Sequence, residues 1–157
     1  MKKLVYREGD LFVLPLQDRG YAVGLVARSG PRGRVLFGYF FGPRYADVPK
    51  LAELTKLSPE DAILRSRFGD LSLMEGAWPV LGQMPGWDRA TWRMPPFVRH
   101  DPLTGRKTQI IYSDADPNVE VGEMKLAPDA DIEPKDGMAG AGAVEIKMTK
   151  LLGARMR

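Results

Sequence analysis

The sequence predicts a mainly β (α+β) domain: a strongly curved antiparallel sheet or small SH3-like barrel with one or two short helices. Three observations carry that prediction. Three apolar runs lie early in the chain, LFVLPL at 11–16, YAVGLVAR at 21–28 and RVLFGYFF at 34–41. They are rich in aromatic and β-branched residues and too short to read as helices. Strong turn signals separate them, Asp18-Arg19-Gly20 and Ser29-Gly30-Pro31-Arg32-Gly33. Residues 68–99 then hold all three tryptophans (Trp78, Trp87, Trp92) with Pro79, Pro85, Pro95 and Pro96. The prolines forbid a long helix there. The indoles forbid a loose linker, because burying one large aromatic stabilises a fold by roughly 2–3 kcal/mol.

Each element follows from local chemistry. Arg7-Glu8-Gly9-Asp10 is a turn that opens the first strand, and Pro15 places the strand's end at an edge or bulge. Gly24 in the second strand marks a bend or a close backbone approach, and Gly38 bends the third. Three strands on short turns make a meander, and its glycines suit a sheet that closes into a small barrel. Leu51, Leu54 and Leu57 are spaced for one face of a short helix. Ser58-Pro59-Glu60-Asp61 carries a capping serine, a first-turn proline and two acids for the positive helix end. A helix is therefore predicted over 59–67, burying Ile63 and stopping at Gly69. Short strands are predicted at 71–74 and 77–81 around Glu75-Gly76, an extended segment at 94–99, and a strand at 106–113 after the Thr104-Gly105 turn. Residues 119–126 alternate as a final strand would. Residues 129–142 have linker composition, and 143–152 fit a terminal strand or helix. The expected organisation is one β-rich domain over 1–127, with a flexible linker and C-terminal tail over 128–157 able to pack back on it. Phe12, Leu14, Tyr21, Val23, Phe37, Tyr39, Ile63, Leu71, Trp78 and Ile111 are the predicted core.

Composition narrows the function classes. The 157 residues contain no cysteine, which removes disulfides and thiolate metal sites and suits a reducing cytoplasm. The start of the chain predicts no export signal, and no apolar run reaches the roughly 18–20 residues of a membrane span. A single histidine, His100, excludes a multi-histidine metal centre. No metal or cofactor is expected. The formal charge is +3, yet residues 114–136 hold eight acids against Lys125 and Lys135, a local charge of −6. That stretch is either a solvated face or mobile arm, or a docking surface for a basic partner. The arginines elsewhere are scattered rather than striped, unlike a nucleic-acid-binding surface.

No motif in the chain builds an active site. Gly140-Ala141-Gly142 lacks the lysine of a phosphate loop. Asp114-x-Asp116 opens like a calcium loop but lacks its later glycine and glutamate. Glu60 and Asp61 are explained by helix-end electrostatics. The tryptophans fit core packing first, and an interface anchor second, since Trp, Tyr and Arg dominate binding hot spots.

The run Gly9-Asp10-Leu11-Phe12-Val13-Leu14-Pro15-Leu16, followed by Gly20-Tyr21-Ala22-Val23-Gly24-Leu25-Val26, resembles the opening of the immunity protein 26 family of bacterial polymorphic toxin systems. Phe68-Gly69-Asp70-Leu71, Trp78-Pro79-Val80-Leu81-Gly82, Trp87-Asp88, Trp92 and Met94-Pro95 resemble it in order and spacing, with Tyr112 where a late strand is expected. The resemblance spans about 8–112. It implies a mainly β, non-catalytic protein that binds and blocks a cognate toxin domain in the cytoplasm, with no nucleic acid and no membrane as partner. Residue type then nominates Trp87, Asp88, Trp92 and Arg93 as first contact candidates, and Asp114 and Asp116 of the acidic segment as second should the toxin be a basic nuclease. The alternatives are a small-barrel nucleic-acid module or ribonuclease-toxin relative, and an enzyme using carboxylates in a cleft.

Overall fold

Apolar side chains leave both faces of the first three strands, and both faces are covered. In the computed structural model, which describes residues 3–127 and 134–153, β1 (Asp10–Pro15), β2 (Tyr21–Ser29) and β3 (Val35–Tyr45) form an antiparallel meander. Alternation sends Phe12, Leu14, Ala22, Leu36 and Phe40 into one core, and Leu11, Val23, Leu25, Phe37, Tyr39 and Phe41 into another. A strand with two buried faces reads as a continuous apolar run, which is the pattern of these three segments.

Among the described residues the main sheet has six strands, in the order β5 (Val80–Gln83), β1, β2, β3, β4 (Ala62–Gly69), β9 (Met138–Ala139). The two-residue β9 runs parallel to β4. A second, antiparallel sheet holds β6 (Phe97–His100), β7 (Lys107–Ser113) and β8 (Asp116–Leu126) in that order. The helices are a single turn, α1 (Leu71–Met74), and α2 (Ala141–Leu152). The fold is thus mainly β, but no barrel closes among the described residues. β5 and β9 remain as edges of the main sheet. The expected closure is unnecessary because two other layers cover the sheet.

Helix α2 covers the first face with Val144 and Met148, both buried. Trp78 fills the same core, stacked on Phe12 with centroids 5.5 Å apart, and its indole N–H donates to Glu145 Oε2 of α2 at 2.8 Å. Buried Arg44 ties the far end of α2 to the β1–β2 turn, donating to the Gly153 carbonyl, to Asp18 and to the Arg19 carbonyl. The second sheet covers the other face through Phe97, Ile110 and Tyr112. Residues 134–136 are bound along β6, with Val98 N–H donating to Pro134 O at 2.9 Å and Asp136 N–H to Val98 O at 2.8 Å. Asp136 also accepts from Tyr112 Oη and, at 2.8 Å, from Arg99 Nε. The Arg67 guanidinium lies 3.7 Å over the Tyr112 ring and donates to Pro117 O at 2.9 Å.

The structure corrects further expectations. The predicted helix over 59–67 is a 3-10 turn, Pro59–Asp61, followed by strand β4. The Ser58–Asp61 capping box is present and starts that turn. The open edge of β3 then decides the rest: Leu64 and Phe68, an even number of residues apart, face the α2 core opposite Phe40 and Leu36. Ile63, assigned to the core as a helix residue, is consequently exposed. Residues 71–74 form α1, not a strand, so Leu71 points to solvent at 64% exposure while Leu73 is buried. Ile111 is also exposed, because the inward positions of β7 are Ile110 and Tyr112. Phe12, Leu14, Val23, Phe37, Tyr39 and Trp78 are buried, and Tyr21 is half-buried.

Gly24 shows what two-faced packing demands. It pairs with Phe12, whose ring lies over it, and a Cβ built on Gly24 would sit 2.3 Å from a ring carbon. Gly24→Ala is therefore expected to lower stability by roughly 1–3 kcal/mol through overpacking. Chemical denaturation checks this as a lower midpoint with an unchanged slope.

Candidate functional site

The segment between β5 and β6 crosses the second-sheet side of the main sheet and holds its shape through two indoles. Trp92 is 3% exposed and inserts edge-on between Tyr39 and Phe41, with centroid distances of 5.0 and 5.8 Å and interplanar angles of 84° and 85°. Tyr39 Oη donates to the Arg93 carbonyl and fixes the backbone beside the indole. Trp87 is half-buried and packs its ring over Gly9, where a Cβ would come within 2.7 Å. Gly9 has φ +94°, a conformation that glycine adopts freely. Between the indoles, Asp88 closes a turn by accepting from Ala90 N–H at 3.2 Å and from Thr91 Oγ1 at 2.9 Å.

Charge fixes the outer side of this loop. Arg89 Nε donates to Glu8 Oε1 at 2.7 Å, and its Nη1 to Asp114 Oδ2 at 2.6 Å. Arg28, buried at the end of β2, donates from Nε to Asp114 Oδ1 at 2.7 Å and from Nη2 to the Arg89 carbonyl at 3.2 Å. Glu8 accepts from Ser29 N–H at 3.0 Å. Four side chains therefore join the start of β1, the end of β2, the indole loop and the β7–β8 turn. The hydrogen bond Arg89 donates to Glu8, with a further one to Asp114, raises the Arg89 pKa above its ordinary value. Burial pushes the Asp114 carboxyl up, but hydrogen bonds from Arg28 and Arg89 outweigh it and hold the group low. Asp136 is low for the same reason, with burial opposed by Tyr112 and Arg99.

The six contact candidates separate on this geometry. Asp88, Arg93 and Asp114 meet at a shallow depression of about 630 Å³, together with Arg28 and Arg89. Trp92 lies beneath it as core, and Trp87 is half-buried beside Gly9. Asp116 belongs elsewhere, against Gly30, accepting from Asn118 N–H at 3.0 Å. Sequence reading missed Glu8, Arg28 and Arg89. An arginine at the end of an apolar strand, as Arg28 stands after Ala27, is the signal that such a charge has a partner waiting. The depression is lined by cations and anions together, Arg28 and Arg89 being ion-paired with Asp114, rather than by converging acids. It can present a fixed charge pattern to another surface. Among the described residues, no three of His, Asp or Glu are grouped as metal ligands, and no helix is long and apolar enough to cross a membrane.

The family model described as Immunity protein 26 matches residues 7–109, from the turn before β1 into β7, including the whole indole loop. No curated protein and no solved structure matches the chain.

Asp114 and Asp136 are both held below the unfolded carboxylate value of about 3.9. The stability they lend is complete above that value and is lost as pH falls through their folded values. The double variant Asp114→Asn, Asp136→Asn should therefore lose less stability between pH 7 and pH 3 than the unaltered chain. Denaturation midpoints at the two pH values measure this.

Proposed function

The chain belongs to the immunity protein 26 family, and from that premise we propose that it binds a cognate toxin domain of a bacterial polymorphic toxin system and blocks it by occlusion, in the cytoplasm and without catalysis. The family match over residues 7–109 is the observation that carries this reading. The site geometry supports it in a second way. Inhibitory binding is strongest when the contact surface is already formed, because little ordering entropy opposes association. The indole loop is such a surface: Trp92 and Trp87 anchor it from below, and the Glu8–Arg89–Asp114–Arg28 network braces its outer side. Asp88, Arg93 and Asp114 are the outward charges it offers, and Trp92 acts by holding them in place.

Two substitutions separate contact from support. Arg93→Glu reverses an exposed charge on the depression. It should weaken binding to the cognate toxic domain at least tenfold, about 1.4 kcal/mol, while leaving the melting temperature unchanged. Trp92→Ala should instead destabilise the protein by about 3–5 kcal/mol. Calorimetric titration and thermal melting measure the two effects. The reading fails if the unaltered chain neither binds that domain nor restores growth to cells producing it.

A further inference from the structure

Residues 134–139 leave one sheet for the other, and their departure opens a groove. Met138 and Ala139 pair in parallel with Arg67 and Phe68 on the outer edge of β4. A few residues earlier, Pro134 and Asp136 are bonded to Val98 of β6 instead. Beside β4 from Ala62 to Arg65 the chain has swung away, and among the described residues no strand takes its place. What remains is a groove of about 440 Å³, lined by Ile63 and Arg65, by Pro134 and Lys135 of the departing segment, and by Lys147 and Leu151 of α2. We propose that this groove binds an extended, acidic segment of a protein partner, its carboxylates seated among Arg65, Lys135 and Lys147. The groove shares no lining residue with the depression beside Arg93, and the proposal does not rest on the toxin-binding reading.

Charge and shape name the occupant. Among the described residues, three cations and no acid line the groove, and none of those cations is ion-paired. The acids close by in sequence are engaged elsewhere. Asp136, next to Lys135, accepts from Tyr112 and Arg99 and pairs with Arg67. Glu145, two residues before Lys147, accepts from Trp78 and Gln17. Asp61, just before Ala62, accepts from the Ser58 N–H and hydroxyl. Glu60 is exposed and lines no part of the groove. Like charges gathered without a counter-charge favour an anionic partner. Ile63, 40% exposed, and Leu151, 51% exposed, stand beside the cations. Aliphatic groups next to cations fit a chain that alternates acidic and apolar side chains, and the open edge of β4 offers such a chain main-chain donors and acceptors. A single-stranded nucleic acid would instead call for aromatic stacking platforms, and no aromatic residue lines the groove.

The test uses the full chain and two fluorescently labelled nine-residue peptides, one alternating leucine and glutamate and one alternating leucine and lysine. Fluorescence anisotropy should show the glutamate peptide bound at least tenfold more tightly at low salt, with the preference shrinking as salt rises. The double variant Lys135→Glu, Lys147→Glu should weaken that binding at least tenfold. The control Lys125→Glu, Lys150→Glu makes the same change of net charge on exposed lysines outside the groove and should alter it less than twofold. Circular dichroism confirms first that both variants are folded. No binding, equal affinity for the two peptides, or equal loss in the two variants overturns the proposal. Tighter binding of a labelled nine-nucleotide oligothymidylate also overturns it, in favour of a nucleic-acid contact. Asp129, Asp131 and Glu133 directly precede Pro134 in the sequence. If the glutamate peptide binds only after Asp129→Asn, Asp131→Asn and Glu133→Gln, the groove serves the chain's own acids and a partner is refuted as its occupant. None of these readouts involves the toxic domain, so the toxin-binding reading stands or falls separately.

Discussion

The meander β1–β2–β3 is apolar on both faces, and every other layer answers to that constraint. A sheet with one wet face can stand on a single core. This one cannot, because leaving either face open would expose a row of Phe, Leu and Tyr side chains to water at roughly 25 cal/mol for each Å². One cover is α2 with Trp78. The other is the second sheet with Trp92. Each cover is also tied by polar groups: Trp78 to Glu145, Arg44 to Gly153, Tyr39 to the Arg93 carbonyl, and Asp136 to Tyr112 and Arg99.

Function in this scheme is a by-product of closing the second face. The indole loop is needed to cover Tyr39 and Phe41, and its backbone therefore has a fixed course. The polar residues between and beside the indoles, Asp88, Arg89 and Arg93, are carried outward by that course. Glu8, Arg28 and Asp114 come from three other parts of the chain to meet them. A surface assembled this way has little freedom to reorganise, which suits a molecule proposed to act by contact. β8 contributes differently: its neighbours on β7 serve the core, and it forms an edge of the second sheet among the described residues.

Much of the scaffold was legible because the relevant signals are local. Turn residues delimit β1, β2 and β3, and Thr104-Gly105 precedes β7. The family was legible too, since the Gly-Asp opening and the Trp-Pro-x-x-Gly segment lie inside the matched residues. The signals that misled were also local. Ser58 and Pro59 do start a helical turn, but pairing with β3 claims the residues that follow. Gly24 reads as a bend or a close approach, and the Phe12 ring lying over it decides between the two. Indoles in a charged loop fit core packing first and a partner anchor second, and Trp92 faces inward. In each case the deciding contact lies far along the chain, as Arg28 does from Asp114 or Trp78 from Glu145, and spacing alone carries no record of it.

If closure of the second face is what shapes the contact surface, the indole loop must not open while the sheet stays folded. Native-state amide exchange reads this directly, because local and global openings give different free energies. The amides of Trp87 and Thr91, bonded to the Met84 and Asp88 carbonyls, are the reporters in the loop, and those of β2 report the sheet. The account predicts that the two sets exchange with opening free energies within about 1 kcal/mol of each other, a resolution set against the 5–15 kcal/mol of a whole fold. Loop amides that exchange several kcal/mol more easily than β2 would contradict it, and would show a surface formed only when a partner arrives.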